Sequence, residues 1–552
     1  MRKTLLALAA LLASSPALAE TLVSNVNGIQ VDSKGQIQHF KALVVTDDGK
    51  VRMTIEHPEL VRIAGITSTV DGGGRTLLPG LIDAHGHVMA LGFGALQLDL
   101  TGTTSLADLQ QRLKAYADAN PNAKWILGRG WNQELWADKR FPTSADLDAV
   151  VSDRPVWLGR VDGHAAVGNS AALKAAGVTA GTKAPAGGVI ENGLFVDAAM
   201  ELIDSKVPEP SAADYDAALA KAQELMLSVG LTGAADMGSS PGDWAAMNHA
   251  GAAGTLNVRI MSYAGGIPSM RAINGAKPSD WLYGDHLHLG GVKLYADGAL
   301  GSRGAWLKAP YHDKPDTRGL RFLTDAELQG QVKDAAGRGF QLAIHAIGDA
   351  ANAQVIGAYE QAGKTYGGDR RWRIEHLQIA DPKDLPRLKP AGIIASMQPT
   401  HQTSDRLMAE ARLGPERLDG AYAWQTIAKM GVPLAFGSDF PVESPNPFPG
   451  LAAAVSRQDM NGQPPGGWRP QDRVSFEQAL AGFTRGAAYA GFAEQRIGSL
   501  EPGKWADFIL VDRDVSTVDP QALARTQVLQ TWVAGKKVWE RPATGGSGER
   551  GR

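Results

Sequence analysis

The sequence predicts an α/β protein: a (β/α)8 barrel of the TIM type, a composite β-sandwich domain drawn from both termini, and an insertion after the first barrel strand. Three observations predict it. Eight short apolar runs end near Asp83, Asp236, Tyr263, Lys293, His345, His376, Met397 and Asp439, and helical stretches such as Ala212 to Val229, Ala326 to Arg338 and Ala350 to Ala362 fall between several of them. Both ends of the chain read instead as short alternating strands broken by Gly and Asp. The eight runs are evenly spaced except between the first and second, where a long Trp- and Gly-rich stretch carries extra strand candidates.

The elements follow in chain order. Residues 1–19 have the pattern of a secretory signal: Arg2 and Lys3, an apolar Leu5 to Leu12 too short to span a bilayer, and Ala17-Leu18-Ala19 as a small-x-small cleavage site. Cleavage is expected after Ala19, giving a periplasmic or secreted chain with no membrane segment; the alternative is a cytosolic protein with an apolar N-terminus. Residues 20–75 form the first part of the β-domain, with Leu43-Val44-Val45 and Arg62-Ile63-Ala64 as hairpin strands. Residues 76–490 form the barrel, and its insertion covers about 88–210, with Trp125-Ile126-Leu127 and Val156-Trp157-Leu158 as strands. Loops that follow barrel strands lie on the active face, so the insertion is placed to form a lid or substrate pocket. Its tryptophans, Trp125, Trp131, Trp136 and Trp157, fit a core better than a ligand platform. Residues 491–543 return to the β-domain through Ala506 to Val511 and Gln530 to Ala534, with Gly535-Lys536 in a turn, and 544–552 read as a disordered tail.

Composition narrows the function. The 552 residues are enough for one large barrel and a smaller domain, and 44% apolar with 20% charged residues suits a globular protein. A net charge of −3 gives no footprint for nucleic acid. The chain has no cysteine, which excludes disulfides, a thiolate nucleophile, Cys-ligated zinc and an N-terminal lipid on cysteine.

Six residues at or near strand ends carry the chemistry: His85, His87, Lys293, His345, His376 and Asp439. In a strand, residues i and i+2 point to the same side, so His85 and His87 can grip one metal, although two polar loop histidines would look the same. His345 and His376 each end an apolar run. Either alone would read as a structural histidine; downstream of His-x-His, on successive strands, they read as further ligands. Asp439 alone would be a turn or helix cap; in the set it can bind metal through one oxygen and take a proton from water with the other. Lys293 lies inside the apolar run Gly290 to Tyr295, where a lysine pays for desolvation. An ammonium beside two dications would be repelled, so the sensible species is the carbamate formed with carbon dioxide, an anion able to bridge both. A snorkelling lysine and a free ammonium near the substrate are the other readings.

Leu78-Pro79-Gly80-Leu81-Ile82-Asp83-Ala84-His85-Gly86-His87 resembles the first-strand signature of the amidohydrolase superfamily. Gly130-Trp131-Asn132, Phe141-Pro142-Thr143, Asp162-Gly163-His164, Lys293 to Ala299, His345 to Asp349, Ile374-Glu375-His376 and Gly437 to Pro441 resemble its YtcJ-like branch, amidohydrolase family 3, which includes N-substituted formamide deformylases. Leu500 to Phe508 resembles the return into that superfamily's composite β-domain. The resemblance covers nearly all of the mature chain. It implies that His85, His87 and Asp439 hold one divalent ion and His345 and His376 another, with zinc as the expected metal and carbamylated Lys293 as the bridge. Ser302-Arg303-Gly304-Ala305 departs from the pattern, where Thr is expected after the Arg; this touches the pocket beside the fourth strand.

His164, Asp297, Arg303 and His401 are candidates for substrate contact, and Asp162 lies beside them in the insertion. Asp83 and Glu375 read either as partners of the metal-site histidines or as structural salt-bridge residues. The expected activity is metal-dependent hydrolysis of carbon–nitrogen bonds in linear amides or N-formyl or N-acyl amines, outside peptides. The rivals are an ester or lactone hydrolase or another reaction on the same binuclear site, and a non-catalytic periplasmic binding protein. The expected partner is a small-molecule substrate, and a homodimer is a family-level expectation.

Overall fold

The structure, a computed structural model, describes residues 20–542. The expected signal segment with its cleavage site after Ala19, and the expected tail 544–552, lie outside the described residues.

Eight strands form the expected barrel: Leu81–Gly86, Leu231–Ser239, Arg259–Gly265, Leu287–Tyr295, Gln341–Ala346, Arg373–His376, Ile394–Met397 and Leu434–Phe436. Each pairs in parallel with the next in chain order, and the first pairs with the second. The outer faces of the strands meet the helices in one large apolar core that includes Leu231, Leu294, Leu342 and Ile374. Inside, Ile82, Met237, Met261, Ala343 and Ile394 pack on Ala487, Ala488 and Ile497. Among the described residues, no helix is long and apolar enough to cross a membrane.

The eighth strand meets the first without a ladder, and the seam is tied by single contacts. Asp439 N–H donates to His85 O at 2.7 Å, and His87 N–H donates to Phe440 O at 2.8 Å. The buried Asp83 carboxylate accepts from Ser438 N–H at 3.0 Å and Ser438 Oγ–H at 2.7 Å. Close approach here requires glycine: a Cβ at Gly437 would lie 2.3 Å from Asp83 Oδ1, and one at Gly86 would lie 2.4 Å from the Phe440 ring.

The chain termini supply a mixed eight-stranded sheet. Ile66–Pro79 is its hinge, parallel to Glu20–Val31 and antiparallel to Phe508–Val511, and it runs through Gly80 into the first barrel strand. Asp507 fixes this sheet to the barrel: its carboxylate accepts from Arg259 Nε and Nη2 at 2.6 and 3.0 Å, on the third barrel strand. Arg62-Ile63-Ala64, expected as a strand, is a loop. It follows the turn Pro58–Leu60 and precedes Gly65 at a φ of 92°; Ile63 packs in part on Ala42, Val44 and Ile55, while Arg62 and Ala64 are exposed, and no strand pairs with it.

Between the first two barrel strands, residues 98–197 build a six-stranded sheet of their own, which includes Ile126–Trp131 and Val156–Arg160. Trp131 and Trp136 are buried in its core, and their indole N–H groups donate to Leu158 O and Thr103 O at 2.8 and 2.9 Å.

Candidate metal centre

His85, Lys293, His345 and His376 stand on the first, fourth, fifth and sixth barrel strands, at or near their C-terminal ends, and Asp439 follows the eighth. The parallel register sets Tyr295 opposite His345 and Ala346 opposite His376, so the two histidines are staggered by one residue. Regular alternation would turn His376 away from Glu375. Its left-handed backbone, φ 74°, breaks that alternation, and its ring centroid lies 4.7 Å from that of His85 and 4.6 Å from that of His345. Asp439 is also left-handed, at φ 61°. Such conformations cost about 1–3 kcal/mol in a non-glycine residue and concentrate at functional sites.

Donor atoms of His85, His376 and Asp439, all buried, lie within 4.8 Å of one another. Asp439 Oδ1 is 3.1 Å from His87 Nε2 and 3.4 Å from His85 Nε2, yet it makes no hydrogen bond in this geometry. His345 Nε2 is likewise buried without a hydrogen-bond partner among the described residues. Lys293 Nζ lies 3.1 Å from His85 Nε2 and 4.9 Å from the centre of the Tyr295 ring.

The electrostatics match a cation site. Burial, then the Lys293 charge, pushes His85 down to about 4; burial also holds His345 and His376 well below the ordinary histidine range. These rings are therefore neutral and offer lone pairs. Burial works against the charge of Asp439, but the facing imidazoles, His85 first, would become charged before the carboxyl could take up a proton, which keeps it well below its usual range, so it is ionised while the rings are neutral. Neutral imidazoles and a carboxylate aimed at one another, with buried acceptors left unpaired, are the donor set of a divalent metal, and the residues present fit one.

Outer contacts orient the set. His85 Nδ1 lies 2.6 Å from Glu375 Oε2, and His376 Nδ1 lies 2.8 Å from Gln398 Oε1. Burial opposes the charge of Glu375, yet Arg373 and then His85 hold it down to about 2. Arg373 Nε donates to Glu375 Oε1 at 2.7 Å, and its guanidinium also meets Tyr263 Oη and Ser396 Oγ at 3.1 and 2.9 Å. Of the two acids with open roles, Glu375 touches a histidine ring, whereas Asp83 ties the seam. Arg373 and Gln398 were not singled out in the sequence. Arg373 had a signal: an arginine in an apolar strand, at i and i+2 with Glu375, needs a counter-charge on the same side.

The four substrate-contact candidates divide. His164 reaches the cluster from the insertion: its ring centroid is 5.3 Å from that of His345, and its Nδ1 is 2.6 Å from Asp197 Oδ1. His401 stacks on His376 at 5.9 Å, with Nε2 3.7 Å from Asp439 Oδ2. The Asp297 carboxylate is 3.6 Å from His345 Nε2, but it accepts from Ile347, Gly348 and Trp306 N–H at 3.0, 2.8 and 2.8 Å, which fixes loops. Arg303 pairs with Asp313 at 2.9 Å and is not part of the cluster.

A parallel barrel with histidines and an aspartate gathered at its C-terminal rim defines the class of metal-dependent hydrolases. The model of the amidohydrolase family matches residues 68–539, and the chain belongs to that family. It is 32% identical over 519 residues to the putative amidohydrolase YtcJ of Bacillus subtilis, covering 90% of this chain and 96% of that one. It is 27% identical over 554 residues to the N-substituted formamide deformylase of Arthrobacter pascens, covering 95% and 99%. The crystal structure of an uncharacterized metal-dependent hydrolase from Pyrococcus horikoshii superposes with a TM-score of 0.74 at 28% identity, covering 91% of this chain and 99% of that one.

Proposed function

We propose that this protein hydrolyses carbon–nitrogen bonds outside peptides, in linear amides or N-formyl or N-acyl amines. The observation that carries the reading is the convergence of His85, His376 and Asp439 donor atoms within 4.8 Å, beside Lys293. The likeness to a protein named N-substituted formamide deformylase supports the bond type.

In this reading His85, His87 and Asp439 hold one divalent ion, His345 and His376 hold a second, and zinc is the expected metal. Such ions supply a Lewis acid and bring the pKa of water towards about 7. Lys293, as its carbamate, would supply the shared anionic ligand. Burial pushes its amine down to about 8, so a free amine able to add carbon dioxide is accessible near neutral pH. Asp439, ionised and facing His87, takes the proton of the attacking water and passes it to the leaving amine. Arg373 and Glu375 hold the His85 ring so that Nε2 faces the cluster.

We further propose export to the periplasm or beyond, on the pattern of residues 2–19, and a small-molecule substrate handled by a chain that assembles as a homodimer. The mixed terminal sheet we read as a composite sandwich bracing the barrel through Asp507 and Arg259. The test is product analysis on metal-loaded enzyme with matched N-acyl amines and esters. Amine release supports the reading, and alcohol release alone replaces it with an esterase.

A further inference from the structure

We propose that Arg129 anchors a carboxylate of the substrate, which makes N-acylated amino acids the preferred class. The inference rests on the carbon–nitrogen hydrolase reading and names the substrate for it.

Arg129 is half-buried on the insertion strand Ile126–Trp131. A guanidinium carries five N–H donors. One hydrogen bond is made: Nη2 donates to Val161 O at 3.0 Å. Among the described residues, no carboxylate lies within ion-pair distance of it, and its neighbouring acids are committed elsewhere. Asp99, its partner across the sheet, accepts from Thr101 N–H at 2.8 Å. Asp162 pairs with Arg160 and accepts from His164 N–H at 3.1 Å. Asp439 belongs to the metal cluster.

The fully buried arginines differ. Arg160, Arg259, Arg373 and Arg412 each have a carboxylate, and Arg457 donates to Tyr422 O and Trp468 O while stacking on Trp424. The Nε and Nη1 donors of Arg129 have no partner among the described residues and are not sealed from solvent, and the planar fork is suited to a carboxylate.

Placement points the same way. The Arg129 stem passes two glycines. Gly159 faces it on the neighbouring strand, and a Cβ at Gly94 would lie 3.1 Å from Arg129 Cδ. Gly94 is on the helix Val88–Leu96, which begins directly after His87. The head bonds the segment Val161 to His164, whose far end sets His164 against His345. The charge is thus fixed on the insertion side of the metal centre. Burial lowers the guanidinium pKa while leaving the group charged, and Asp439 leads the carboxylates that oppose that shift, which agrees with that placement.

The test uses two probes that differ only in charge, N-acetylglycine and N-acetylglycinamide, titrated by calorimetry into the full chain, metal-loaded, with Asp439→Asn to prevent turnover. The carboxylate is expected to bind about 10- to 100-fold more tightly, the range of a charge-assisted pair. Adding Arg129→Gln is expected to bring the ratio to within about twofold. An unchanged ratio overturns the anchor, as does no preference in the parent or no binding of either probe. If Arg129→Gln does not fold, Arg129→Met, which keeps the stem without the charge, replaces it; a preference undiminished in that variant also overturns the anchor. Amine release by the unmodified enzyme reports separately on the reaction. Hydrolysis with an unmoved ratio removes the anchor alone, and a collapsing ratio without hydrolysis removes the reaction alone.

Discussion

Glu375 Oε2 lies 2.6 Å from His85 Nδ1, both side chains fully buried, and this contact assigns the protons of the metal centre. An ionised Glu375 is an acceptor only, so Nδ1 carries the hydrogen and Nε2 presents its lone pair to the cluster. The tautomer is thus set from the barrel interior, where Arg373 in turn fixes Glu375.

Glu375→Gln should therefore have two separable effects. An amide at this position frees the His85 tautomer, and metal affinity should fall by about 10- to 100-fold in a chelator competition. It also leaves the buried Arg373 without its counter-charge, and unfolding free energy should drop by about 3–5 kcal/mol in denaturant titrations. Lower stability with unaltered metal affinity would mean that His85 is oriented by packing alone.

Asp439→Asn tests the proton carrier. The side chain keeps its shape and one oxygen, so metal content should largely persist. Turnover should fall by about 10²- to 10⁴-fold, the usual share of a positioned acid or base. The distinguishing readout is metal content beside kcat; full turnover in the variant removes the role assigned to Asp439.

Much of this site was legible in the sequence because strand ends are legible: an apolar run that stops at His85, His345 or His376 marks both the strand and the polar residue on its rim. What was not legible depends on long-range closure. Asp439 alone reads as a turn cap and was legible as a ligand only through the set of histidines; its contact to His85 O, made through the seam, was not. Gln398 lies one residue beyond a strand, and no local pattern ties it to the ring of His376, which turns towards the cluster only through a left-handed backbone. Arg62-Ile63-Ala64 failed in the opposite direction, since a short segment with a β-branched residue looks like a strand whether or not a partner exists.

Lys293→Ala should lower the metal content of protein purified with bicarbonate and without chelator. The parent is expected to hold about two divalent ions per chain and the variant fewer. Carbon-13-labelled bicarbonate should give the parent, but not the variant, a bound carbamate signal. One ion or none in the parent, with no such signal, would return Lys293 to the role of a free amine beside His85.

The return loop to the terminal sheet carries a pH prediction independent of the metal. Glu501 accepts from Lys504 Nζ at 2.7 Å, Ser499 Oγ at 2.9 Å and Arg485 Nη1 at 2.9 Å. Burial opposes its charge, but the Lys504 and Ser499 hydrogen bonds outweigh it and hold the carboxyl at about 2, against 4.5 ordinarily. The folded state therefore binds the proton less readily than the unfolded chain. Stability from this group is fully present above about 4.5 and is lost as pH falls towards about 2. Glu501→Gln should lower the unfolding midpoint near neutral pH and flatten its decline across that acid window. Because the cluster is partly exposed, the difference should be modest and should shrink in high salt. Parallel melting curves of parent and variant across the window would remove Glu501 as a source of the acid limb, and would leave Lys504 held mainly by Ser499.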